Sequence, residues 1–183
     1  MKTIAATLVC AAVLAGSIFP ELDRFPGQNP FTDAARAVFP THQHDIVESF
    51  ASMPQEKYGF KPTPELMSFA ELATHIASAN LYYCRILAPS RPRPGALPKA
   101  ATATKDDLVK ALQTSFEFCE PVVQDATDGA LGETVTLPSG KTSTRAAVLL
   151  NLVSGMDHHY GQAAAYLRLN GLLPPTAVTE PKK

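Results

Sequence analysis

Two of the five histidines, His75 and His159, stand where an imidazole has to be explained. His159 lies in the stretch His158-His159-Tyr160-Gly161-Gln162, and counting back from Tyr166 by fours and threes gives Gln162, His159, Gly155, Leu152 and Val148. That spacing is one face of a bundle helix, so an imidazole and a carboxamide interrupt an apolar stripe. A polar group taken from water without a partner costs about 1 to 3 kcal/mol, and His159 and Gln162 therefore call for partners, a metal ion among them. His75 sits beside an apolar stripe of its own, one position from Ile76; taken alone it reads as a core-edge histidine bonded to a backbone carbonyl. His158 is turned about 100° from His159 on a helix. His42 and His44 point about 200° apart and cannot both face one ion, so each reads as a solvated surface histidine unless a neighbouring helix brings it to the site.

These residues need a scaffold, and the composition supplies one core. The chain has 183 residues, 45% hydrophobic and 18% charged, enough for a single domain. Its formal net charge is -1 and its 16 basic residues are scattered, so no nucleic-acid footprint is expected. Met1-Lys2, the apolar run Ile4 to Leu14 and the small residues Ala15-Gly16-Ser17 have the order of a secretory signal. We expect residues 1–17 to be a signal peptide cleaved near Ser17, the protein to be periplasmic or secreted, and no stable membrane insertion after cleavage. An uncleaved anchor is the alternative, but the apolar run is shorter than the ~20 residues a spanning helix needs. Cleavage removes Cys10 and leaves Cys84 and Cys119, which in an oxidising compartment are expected to pair.

Residues 18–32, with Pro20, Pro26, Gly27 and Pro30, read as a linker, and a first helix is expected from Asp33 to Ser52 with a kink or fresh start at Pro40, capped by Thr41. Ser68-Phe69-Ala70-Glu71 is a capping box that opens a second helix running to about Leu87, its stripe being Phe69, Leu72, Ile76, Ala79, Tyr83 and Ile86. The proline-rich connector Pro89 to Pro98 cannot be helical. A third helix follows Thr104 as N-cap, with Leu108, Leu112, Ser115, Phe116, Cys119, Val122 and Ala126 as its stripe and a kink expected at Pro121. Glu133 to Leu137 and the turn Pro138-Ser139-Gly140-Lys141 predict a small hairpin or flap. Gly140-Lys141-Thr142 imitates the end of a P-loop, but Val135 stands where the first glycine is required. The fourth helix is expected from about Ser143 to a glycine cap at Gly171, ahead of Pro174-Pro175. Four amphipathic helices without repeats imply an all-α four-helix bundle over residues 33–175, with residues 176–183 a disordered tail.

The segments Lys61-Pro62-Thr63-Pro64, Ser68-Phe69-Ala70-Glu71-Leu72, His75-Ile76-Ala77, His159-Tyr160-Gly161-Gln162 and Tyr166 through Pro175 together resemble the DinB superfamily. The resemblance covers nearly all of the mature domain. It implies an up-down-down-up bundle in which one histidine of the second helix and an H-x-x-x-H pair of the fourth hold a divalent metal, zinc or nickel. Several members are thiol-dependent transferases or isomerases, and many have no known reaction. His75 matches the ligand of the second helix and His159 the later histidine of the pair, whereas Gly155 stands in place of the earlier one.

Two function classes follow. In one, His75 and His159 hold a divalent ion that activates water or a thiol for hydrolysis or transfer. In the other, the loss at Gly155 leaves metal binding weak or absent, and His159, Gln162 and Tyr166 line a cleft for a small ligand or have only a structural part. The expected partner is a small-molecule substrate of unassigned identity, with a homodimer left open. No Cys-x-x-Cys, nucleophile elbow or H-E-x-x-H motif offers a second chemistry.

Overall fold

The computed structural model describes residues 28–178. The expected signal sequence, most of the expected linker and residues 179–183 lie outside the described residues. Four long helices, α1 (Pro30–Ser52), α2 (Phe69–Leu87), α3 (Lys105–Gln124) and α4 (Arg145–Leu169), form the bundle, and a single helical turn, α5 (Pro175–Val178), follows. Strands β1 (Thr134–Thr136) and β2 (Thr142–Thr144) make the expected hairpin ahead of α4, pairing Val135 with Ser143, and Gly140 takes the positive φ of +80° that its turn demands.

Local signals place most of the helix ends. Ser68 Oγ accepts the Glu71 N–H at 3.2 Å while the Ser68 N–H donates to the Glu71 carboxylate at 2.6 Å, the reciprocal cap expected for α2. Thr104 and Asp107 repeat the arrangement on α3. At the end of α4 the Leu172 N–H reaches the Leu167 carbonyl and the Gly171 N–H that of Arg168, a Schellman closure that requires the left-handed Gly171, φ +75°.

α1 departs from expectation at its start and its middle. It begins at Pro30 rather than Asp33, because proline suits the first helical position and because its open N–H groups find a distant acceptor. The Asp128 carboxylate, on the loop after α3, accepts from the N–H groups of Phe31 at 3.0 Å and Thr32 at 2.8 Å. Asn29 Oδ1 in turn accepts the Asp128 N–H at 2.9 Å. The helix then runs unbroken through Pro40, and Thr41 is an exposed helical residue rather than a cap. Pro40 itself is exposed, so the carbonyl that it leaves unpaired one turn earlier can turn to water. At the other end, residues 176–178, expected to be disordered, belong to α5, where the Thr176 N–H donates to the Tyr160 hydroxyl at 3.2 Å.

Cross-helix pairs fix the topology. Asn80 Nδ2 donates to Ser115 Oγ at 3.1 Å, and one turn on Cys84 is bridged to Cys119, so α2 and α3 run parallel. Met67 meets Tyr166, His75 meets His159 and Leu87 meets Arg145, so α2 and α4 are antiparallel. Arg36 reaches the Ala126 carbonyl at 2.7 Å and Phe39 meets Phe116, so α1 and α3 are antiparallel as well. The result is the up-down-down-up bundle, with α1 and α2 on one diagonal and α3 and α4 on the other. Two parallel neighbours cannot be joined by a short loop, and the proline-rich connector from Ala88 to Thr104 is what carries the chain back along the bundle. The core is centred on Phe39, Phe50, Phe69 and Phe116, with the rings of Phe50 and Phe69 stacked at 4.3 Å.

Candidate functional site

The stripe of α4 that carries His159 behaves differently along its length. Val148, Leu152 and Tyr166 are buried, whereas Gly155, His159 and Gln162 between them are only half-buried. Core packing in the middle of α4 is taken by the adjacent face, through Leu149, Met156, Ala163 and Leu167. The interrupted stripe therefore opens onto a cleft between α2 and α4 of about 320 Å³, whose walls include His75, Tyr83, Asn151, Ser154, Gly155 and His159.

The antiparallel crossing brings the two singled-out histidines together. The rings of His75 and His159 meet edge to face with centroids 4.9 Å apart. His158 also lines the cleft, its ring 5.2 Å from that of His159, but it is exposed. His159 and Gln162 satisfy each other: Nδ1 and Oε1 are 2.9 Å apart. An amide oxygen only accepts, so Nδ1–H is the donor and Nε2 keeps its lone pair. Among the described residues no buried side-chain nitrogen or oxygen is left without a partner, so a metal is not needed to satisfy this pair.

His42 corrects the reading of a solvated surface residue. Its Nδ1 lies 3.4 Å from the Asp157 carboxylate of α4, with only 14% of the side chain exposed. His44 is exposed on α1, and neither residue lines the cleft.

Burial is the main influence on His159, and it lowers the ring's pKa below the ordinary 6.5; the Gln162 acceptor works the other way, and the neighbouring His75 and His158 add to the lowering. The imidazole is thus neutral at pH 7, the form that binds metals or takes up a proton. Because the folded value lies below the unfolded one, the unfolded chain binds the proton more readily. This group therefore subtracts from stability as pH falls through 6.5. In an NMR titration His159 is expected to show a midpoint below 6.5, and Gln162→Ala should lower it further by removing the acceptor that favours the charged ring. An upward shift in the variant would contradict the pairing.

As a donor set, His75 and His159 fit two-point attachment of a divalent ion and not the three protein ligands usual in catalytic zinc sites. Among the described residues no group of three or more His, Cys, Asp or Glu side chains comes together to hold an ion. At Gly155, one turn before His159, an added Cβ would meet nothing within 4 Å, so the cleft is open at this position.

Tyr83 and Asn151 were not singled out by sequence as cleft residues, yet a strict step of four finds both: His75, Ala79, Tyr83 on α2 and Asn151, Gly155, His159 on α4. The alternating step of four and three leads from Gly155 to Leu152, which is buried in the core and meets the cleft only at its floor.

A parallel α2–α3 pair inside an up-down-down-up bundle, with histidines facing across α2 and α4, defines a narrow class of helical proteins. The DinB superfamily profile matches residues 39–163, and the chain belongs to that superfamily. Solved structures of the same fold include a DinB-like protein from Bacillus subtilis, 21% identical with a TM-score of 0.60 over 75% of this chain and 92% of that one. A DinB-like protein from Bacillus cereus is 14% identical with a TM-score of 0.64, covering 78% of this chain and 95% of the other. The mycothiol-dependent maleylpyruvate isomerase is similar over 71% of this chain and 59% of its own, at 12% identity and a TM-score of 0.54. No curated protein matches the sequence significantly.

Proposed function

We propose that the α2–α4 cleft is the small-molecule site of a hydrolase or transferase in which His75 and His159 supply two imidazole ligands to a divalent ion, zinc or nickel. The observation that carries this reading is the meeting of the two rings, with His159 neutral and its Nδ1 anchored on Gln162 so that Nε2 is presented with a fixed orientation. When bound, such an ion lowers the pKa of a coordinated water or thiol toward neutrality. The chain's own contribution is positional: Tyr83, Asn151 and Ser154 offer polar groups on the cleft wall, and Leu152 and Ile76 give it an apolar floor. The shared fold of the mycothiol-dependent isomerase supports thiol adducts as one substrate class.

Calorimetric titration with zinc and nickel tests the proposal. His75→Ala and His159→Ala should each weaken binding by at least about tenfold, while His44→Ala should not. Equal binding by all three variants would refute it. The open space at Gly155 favours a second reading, a ligand-binding bundle without catalysis; wild-type protein that takes up neither metal would decide for it.

We also propose that the chain is exported and cleaved near Ser17. The bridge between Cys84 and Cys119 supports an oxidising compartment. The intact mass of the purified protein is the check, and a chain that still begins at Met1 would refute cleavage.

A further inference from the structure

The geometry points to a second ligand site, for an organic acid with an apolar body, in a basic cleft between the C-terminal half of α2, the proline-rich connector and β1. This cleft, about 740 Å³, is larger than the histidine cleft and shares no lining residue with it. The edge-to-face pair Tyr82 and Tyr83, centroids 5.2 Å apart, marks the boundary, Tyr82 lining the basic cleft and Tyr83 the other. It therefore does not rest on the function proposed for the histidines.

Three guanidinium groups from separate parts of the chain line it: Arg85 on α2, Arg93 on the connector and Arg145 at the start of α4. The sequence scatters them, and the fold gathers them. Glu133 is the one carboxylate in the lining, and it stands 3.9 Å from Arg145, which also donates to the Leu87 carbonyl at 3.1 Å. Arg85 and Arg93 have no ion pair or hydrogen bond among the described residues. The cleft thus carries two uncompensated positive charges in a chain whose formal net charge is -1.

The remaining wall tells what the anion is attached to. Leu81, Ile86, Val135 and Leu137 are apolar, so a bare inorganic anion would leave most of the space unused. The hairpin adds neutral donors. The bonds from Leu137 N–H to the Lys141 carbonyl and from Arg145 N–H to the Glu133 carbonyl turn the odd-numbered residues of this strand toward β2. The backbone groups of Thr134 and Thr136 therefore point from the opposite edge, which has no partner strand among the described residues. Fork-shaped guanidiniums beside open N–H groups suit the paired oxygens of an acidic head, carboxylate or sulfonate, and the volume suits a body of drug size rather than a polymer.

The probe is 8-anilinonaphthalene-1-sulfonate, an acid with an apolar body, read by its fluorescence on the full native chain, which contains no tryptophan. Arg85→Gln and Arg93→Gln should each raise Kd by about three- to fivefold, the upper part of the range for exposed ion pairs, and the double variant by about tenfold or more. Glu133→Gln should tighten binding, high salt should weaken it, and dodecanoate should displace the probe where inorganic phosphate at the same concentration does not. Because Arg85 and Arg93 are exposed and unpartnered, both variants should keep the wild-type melting curve. Unchanged affinity in the folded double variant would overturn the site, and displacement by phosphate as effective as that by dodecanoate would overturn the apolar body. His159→Ala should bind the probe like wild type; loss of binding there would place the probe among the histidines and overturn the proposal.

Discussion

Replacing both Cys84 and Cys119 by alanine is expected to destabilise the protein by about 3 to 4 kcal/mol, read as a fall in the denaturant midpoint of the variant relative to the oxidised wild type. The bridge spans a sequence separation of 35 residues, and the loop-entropy account assigns that magnitude to a closed loop of such length. Where it is placed matters as much as how long the loop is. Antiparallel helices in a bundle are held in register by a short turn, but α2 and α3 run parallel and are separated by the connector from Ala88 to Thr104. The bridge ties the two helices late in each, so it restores in the unfolded chain the proximity that this connection does not impose. Both cysteines are fully buried, which makes alanine the suitable replacement, since serine would place a hydroxyl in the core. Wild type unfolded with and without a reductant gives an independent reading. If its midpoint is the same in both, the bridge does not form.

The sequence was most legible where structure is decided within a few residues. The box at Ser68 and Glu71, the Thr104 cap and the Gly171 closure are all short-range exchanges of backbone bonds, and each was found where the residues predicted it. The start of α1 was not legible, because its acceptor, Asp128, lies 97 residues away from Phe31 and no local pattern can announce it. His42 fails for a related reason: its partner Asp157 is on another helix. The stripe of α2 was only half right. Its N-terminal part, Phe69, Leu72 and Ile76, is buried, but α3 packs on the adjoining face, so Ala73, Ala77, Asn80 and Cys84 are buried while Ala79, Tyr83 and Ile86 lie at the edge. A helix between two neighbours buries a wide sector, and a single stripe describes only one of its contacts.

The same geometry explains why the candidate site could be located but not completed. His75 and His159 stand on helices whose antiparallel packing is fixed by core residues to either side, so their meeting is a consequence of the bundle. What surrounds them depends on where the α4 stripe leaves the core, and polarity alone does not reveal that point. The basic cleft shows the limit most clearly, since Arg85, Arg93 and Arg145 come from three segments with no motif between them.

Gly155→His is expected to tighten zinc or nickel binding by at least about tenfold over wild type. Position 155 is one turn before His159 on the face that lines the cleft, and an i, i+4 pair of imidazoles can grip one ion while His75 approaches from α2. Space is not an obstacle, because a Cβ built on Gly155 has no neighbour within 4 Å and its φ is not in the left-handed region. Even loss of a group that only orients a ligand commonly costs about 10- to 100-fold in affinity, so gain of a direct ligand should be worth no less. The substitution also removes a mid-helix glycine, which by itself relieves up to about 1 kcal/mol of helix penalty. Gly155→Ala separates the two effects, since it should raise the melting temperature without changing metal affinity. Calorimetry on wild type, the alanine variant and the histidine variant, each with and without His75→Ala, completes the comparison. Should the histidine variant bind no tighter than the alanine one, or should His75→Ala leave its gain intact, then position 155, His159 and His75 do not converge on one ion. The cleft would then be a ligand site whose imidazoles serve as proton acceptors and hydrogen-bond partners rather than as a metal centre.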